Sequence, residues 1–168
     1  EGPDPWPAME VIFAVSQFSR HADNFDEVRD QLDPGRVELL EWARTISAAD
    51  IMRAHAVWDR QYHLWREFMA DFDLLLTPTM ACRPFAAGTH RPEEIDGQPT
   101  TYLGWTGFAY QFNLTGQPAA TVPCGFTPDG LPVGLQIVGR NRDDLTVLRA
   151  AAAFEAIAPW PQIAEPVL

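Results

Sequence analysis

Few side chains in this sequence could act as a nucleophile or a base. Serine occurs three times, at Ser16, Ser19 and Ser47, and none lies in a glycine-rich turn that would hold its hydroxyl beside backbone N–H donors. Lysine is absent, because all twelve basic residues are arginine. A guanidinium, with a pKa above about 12, does not release its proton, so no arginine can serve as the base of an acyl transfer. Cys82 and Cys124 form no CxxC and have no histidine at zinc-ligand spacing. They read as two buried thiols; each sits beside an expected strand end, which leaves a disulfide open. No HExxH or second ligand pair supports a metal, and no cofactor is expected.

The remaining candidates are binding groups. Thr79, Met80 and Ala81 follow the short apolar run Asp73 to Thr77, at a strand end, which is where open α/β sheets place ligands. Arg83, His90 and Arg91 could meet an acidic group, but Glu93, Glu94 and Asp96 lie nearby, so a self-neutralised surface is the expectation. His55 reads as a packed histidine, and His63 with Glu67, one turn apart, as a solvated charge pair.

Those groups need elements to position them. Ala119 to Cys124 and Val133 to Val138 read as strands, joined by Thr127-Pro128-Asp129-Gly130, the chemistry of a hairpin turn. Gly134 inside the second strand makes room for something close, most simply a helix. Ser47 with Asp50 resembles a capping box. It opens a helix whose Ile51, Ala54, Trp58, Tyr62, Trp65, Met69 and Phe72 form an apolar stripe, expected to be buried. Shorter helices are expected from Ala8 to Ser19, with Val11, Ile12, Val15 and Phe18 on one face, from Asn24 to Leu32, ended by Asp33-Pro34-Gly35, and from Val37 to Ile46. Arg83 to Thr100 reads as a long surface loop, and Tyr102 to Phe112 as an aromatic helix with Trp105, Phe108 and Phe112 at helical spacing. A last helix, capped by Asp143 or Asp144, carries Leu145, Leu148, Ala151 and Ala152 towards the strands; the tail PWPQIAEPVL reads as extended. Helices around a mixed β-sheet make an α/β arrangement.

Composition narrows the partners. A chain of 168 residues, 46% hydrophobic and 21% charged, can bury one core and is not disordered. Its net charge of −11 repels phosphate backbones and anionic lipid, arguing against nucleic acid and membrane as partners. No apolar run reaches the roughly 18 residues of a membrane span, and nothing points to an oxidising compartment, so the cytoplasm is expected. The opening EGPDPWP has neither an initiator Met nor a signal-peptide pattern and suggests an excised segment.

NLTGQPAATVPCGFTPDGLPVGLQIVGR, followed by DDLTVLRAAAAFE and preceded by FDLLLTPT, resembles the C-terminal part of the amidase signature family. The likeness covers roughly the last 120 residues, with several spaced motifs in the same order. It implies the family's mixed sheet covered by helices. It also implies hydrolysis of a carbon–nitrogen amide bond through an acyl-enzyme, by a Ser, a second Ser in a cis peptide and a Lys carried in a more N-terminal region. Residues 1–168 would then be the C-terminal segment of one amidase domain, with 1–46 as peripheral helices and 47–168 as long helix, strands and terminal helix. Such a segment supplies sheet, packing and part of the pocket wall, holds no catalytic residue of its own, and is expected to be inactive alone. Its partners would be the N-terminal catalytic portion of the same protein and a small amide, with apolar helix faces exposed or paired between two copies.

The glutamine-using branch, which serves transamidation of charged tRNA, is similar around Asn113-Leu114-Thr115-Gly116 but has an Asp where this chain has Thr106 and an Arg where it has Trp58. Loss of both charges favours a less polar amide. Trp58, Thr79, Met80, Trp105 and Thr106 are thus the candidate pocket residues. The alternatives are a noncatalytic subunit or interaction module of the same fold, or a protein like the amidase component of a glutamine amidotransferase. An unrelated enzyme is the weakest reading, because no nucleophile, base and orienter can be assembled from spacing.

Overall fold

Ser47 opens the longest element. Its hydroxyl accepts from the Asp50 backbone N–H at 3.2 Å while Asp50 Oδ2 accepts from the Ser47 N–H at 3.0 Å, satisfying two donors that a helix start leaves unpaired. The computed structural model describes residues 4–160. In it the helices are α1 (Trp6–Ser19), α2 (Phe25–Val28), α3 (Pro34–Ala43), α4 (Ala48–Phe68), α5 (Tyr110–Thr115) and α6 (Asp144–Ile157). Strands β1 (Leu74–Pro78), β4 (Ala119–Phe126) and β5 (Pro132–Gly139) form one sheet, and β2 (Glu94–Ile95) with β3 (Gln98–Pro99) a small hairpin. The class is α/β, as the pattern of elements requires.

The main sheet has the order β1-β5-β4, antiparallel throughout, with Leu76 opposite Ile137 and Ala120 opposite Ile137 on the other side. A bulge between Pro123 and Gly125 lets β4 run on to Phe126, beyond the Cys124 end expected from sequence. Gly130 adopts φ +81°, and Thr127 closes the turn, its N–H donating to Leu131 O and its hydroxyl accepting from Leu131 N–H.

On one face of the sheet, Val122, Ile137 and Val147 form a buried cluster joined by Leu74, Ala120, Leu135, Ala150, Ala151 and Phe154. The face α6 turns inward is therefore Val147, Ala150, Ala151 and Phe154, not the expected stripe through Leu145 and Leu148, which are 56% and 63% exposed. Gly139 explains the choice. An added Cβ there would lie 2.6 Å from Val147 Cγ2, so the glycine lets Val147 seat directly on the strand. On the opposite face, buried Gln136 donates from Nε2 to Thr77 Oγ1 at 2.9 Å and to Phe108 O at 3.1 Å, fixing the segment before α5.

The N-terminal helices make a second core of Ala14, Leu39 and Ala43, with Phe13, Phe18, Ile46 and Tyr102 against it. Several expectations are corrected here. Asn24 makes no side-chain cap, and the helix begun at Phe25 gives way to a 3₁₀ turn at Arg29–Gln31. Asp33 does not end a helix; it begins α3, accepting from Arg36 N–H with Pro34 at the first helical position. The α4 stripe is buried only at Ala54 and Met69, with Phe72 half exposed beyond the helix end. Arg140 holds that end: its Nε donates to Met69 O at 2.9 Å and Phe72 O at 3.1 Å, and its guanidinium pairs with Asp73 at 3.1 Å. Residues 102–112 form not one helix but a 3₁₀ turn, Gly104–Thr106, followed by α5, whose C-cap Gly116 has φ +69°. The expected extended tail lies outside the described residues from position 161 onward.

Candidate substrate cleft

β1 does not stop cleanly at Pro78. The Thr79 N–H donates to Gly134 O at 3.0 Å, extending the ladder by one residue, and the Ala81 N–H donates to Trp105 O at 3.1 Å. These two bonds draw three segments together: residues 78–85 leaving β1, the 3₁₀ turn with Trp105, and the start of β5 at Pro132, Val133 and Gly134. Between them lies a cleft of about 430 Å³.

Its walls are mostly apolar. Phe85 and Trp105 meet edge to face, their ring centroids 5.5 Å apart at 83°, and the Trp105 indole N–H is spent on Tyr102 O at 3.2 Å. Gly134 sits between Thr79 and Thr121. A Cβ on it would come within 2.7 Å of Thr79 Oγ1 and 2.9 Å of Thr121 Cγ2. The close neighbour that glycine admits is thus a pair of threonines, not the helix expected from sequence. Their hydroxyls lie 3.3 Å apart, and either can donate. Arg83 is the one charged residue among the described lining residues, and burial pushes the Cys82 thiol above its ordinary value, keeping it protonated.

The candidates divide. Thr79, Met80 and Trp105 share the cleft. Trp58 does not line it; half-buried on α4, it stacks on His55 with centroids 5.4 Å apart at 16°. Thr106 follows Trp105 in the turn but points its hydroxyl at Leu103 O, 2.7 Å away. Phe85, Cys82 and Pro132 to Gly134 belong to the cleft without having been singled out as pocket residues. The glycine inside an apolar strand was their one visible signal, since pairing of β5 with β1 is what brings them there.

Other polar groups have other partners. His90 Nδ1 lies 3.7 Å from Asp33 Oδ1 rather than against the neighbouring acids, and His63 Nε2 lies 3.8 Å from Asp59 rather than pairing with Glu67. The expected structureless loop contains the β2–β3 hairpin, turning through Asp96 and Gly97 at φ +51° and +72°. Both cysteines are free; Cys124 is exposed and Cys82 half-buried, so neither is the buried thiol expected. Ser47 serves the α4 cap, and the Ser19 hydroxyl donates to Ser16 O at 2.8 Å. Among the described residues no three His, Cys, Asp or Glu side chains gather as a metal site, and no helix is long and apolar enough to cross a membrane.

A family model for amidases matches residues 12–148. The chain belongs to the amidase signature family. This amidase chain is 39% identical over 139 residues to an acylamidase of Rhodococcus erythropolis, a match covering 82% of the chain and 29% of that protein. It is 39% identical over 165 residues to the fatty acid amide hydrolase of Arabidopsis thaliana, covering 91% of the chain and 26% of that protein. Among solved structures, a bacterial aryl acylamidase of the same family superposes with a TM-score of 0.76 at 32% identity, over 94% of this chain and 34% of that one. The chain thus spans about a third or less of the relatives it matches.

Proposed function

We propose that this chain is the C-terminal portion of an amidase that hydrolyses a carbon–nitrogen amide bond through an acyl-enzyme. In this reading its share is sheet, packing and one wall of the substrate pocket, while nucleophile and base come from an N-terminal portion of the same protein, working on a small amide in the cytoplasm. The observation that carries it is the cleft where β1 ends: Thr79, Met80, Phe85, Trp105 and Gly134 form a binding surface that contains no general base. Family membership supplies the chemistry. The absence of lysine from all 168 residues supports placing that chemistry elsewhere.

The test is turnover by two proteins: the full product of the gene encoding this chain, and the 168 residues alone. The expected result is amide hydrolysis by the first and none by the second. Acyl transfer by the isolated polypeptide, or a full-length product that also lacks lysine, would overturn the proposal.

A further inference from the structure

Resting on the reading of the cleft as part of the substrate pocket, we infer that it selects amides bearing a flat aromatic group, with Trp105 and Phe85 as the specificity-determining pair and Gly134 setting the depth. Three observations carry this. First, the 83° angle between the Phe85 and Trp105 rings makes an aromatic corner. A third ring laid parallel to one of them puts its edge against the face of the other, an arrangement aromatic rings prefer and an alkyl chain gains nothing specific from.

Second, the polarity of the walls fits such a guest. An amino acid substrate brings an ammonium and a carboxylate, and a site that binds it needs a partner for each. The cleft offers Arg83 but no carboxylate among its described lining residues, so the ammonium would enter without a counter-charge. Third, Gly134 is closed in by Thr79 and Thr121, whose hydroxyl pair is the polar feature beside it. A ring with one hydrogen-bonding atom matches an apolar corner with hydroxyls at one end.

The experiment uses the full-length protein and a matched pair of N-acyl substrates, an anilide and the corresponding cyclohexylamide, with glutamine as the charged control. Wild type is expected to favour the anilide in KM. Trp105→Leu, which keeps apolar volume, is expected to cut that preference by roughly three- to tenfold, as the loss of one aromatic pair allows, with kcat for the cyclohexylamide unchanged. If the protein turns over amides but the preference survives in Trp105→Leu and Phe85→Leu alike, the inference fails and the amidase reading stands. If no amide is turned over, the amidase reading fails, and saturation-transfer NMR of the same two ligands decides the cleft. Stronger anilide signals that fall in Trp105→Leu support the inference; equal signals from both ligands end it.

Discussion

Thr79 and Thr121 stand on the two segments that flank β5, and their hydroxyls meet at 3.3 Å across Gly134, where β5 has no side chain. The sheet therefore closes over a glycine at the edge of the cleft. Gly134→Ala places a methyl 2.7 Å from Thr79 Oγ1 and 2.9 Å from Thr121 Cγ2, and overpacking of this kind costs about 1–3 kcal/mol. Thr121→Ser removes the nearer methyl, so the double variant is expected to recover part of the loss in urea unfolding. A double variant no more stable than Gly134→Ala would show that the crowding is not at Thr121.

Gly139 is the corresponding contact for α6. An alanine there meets Val147 Cγ2 at 2.6 Å, with Asp143 O at 3.4 Å and Pro118 Cγ at 3.5 Å, and the first of these can be relieved by shortening Val147. Gly139→Ala and Val147→Ala should each destabilise, yet the pair should be less damaging than their sum by at least about 0.5 kcal/mol. Simple additivity in a double-mutant cycle would mean that α6 does not seat on β5 through this contact.

Two acids are expected to shape the pH profile in opposite senses. Glu10 is pushed above the usual carboxylate range, chiefly by burial and also by Asp4, against hydrogen bonds from Thr101 and Trp6. Its folded value exceeds its unfolded one, so its contribution is full below the unfolded value, about 4.3, and is lost as pH rises through the folded value. Glu10→Gln should raise the urea midpoint at pH 7 and leave it unchanged near pH 4. Asp50 is held low, first by the Ser47 hydroxyl, then by the Ser47 backbone N–H and Arg53. Its contribution is present above about 3.9 and is lost as pH falls through the lower folded value. Asp50→Asn should flatten that acid limb without touching the Glu10 limb, and identical acid limbs in the two proteins would remove Asp50 from the account.

Features legible in the sequence are those fixed within a few residues of chain. The Ser47–Asp50 box, the helix after it, the Thr127 to Gly130 turn and the two strands it joins each depend on contacts between near neighbours. The Asp96-Gly97 turn is equally local, but its strands are two residues long and lack the apolar alternation that marks a hairpin. Errors fell where one helix has two plausible faces. Leu145 and Leu148 are more hydrophobic than Ala150 and Ala151, yet the smaller pair goes inward, because Val147 seats at Gly139 and leaves room only for small side chains beside it. Thr79, Met80 and Trp105 could be marked as pocket residues from strand-end position and resemblance, whereas Trp58 and Thr106 turn to His55 and Leu103.

Sequence alone determined which chemistry this chain could not perform, since no fold can supply a lysine that the 168 residues lack. It also determined the local elements and the family. Tertiary structure decided which side chains share the cleft, because the pairing of β1 with β5 joins Thr79 to a Gly134 far along the chain, and the Ala81–Trp105 bond folds the aromatic corner over them. Such contacts depend on register and close approach, and these are settled only when distant segments pack.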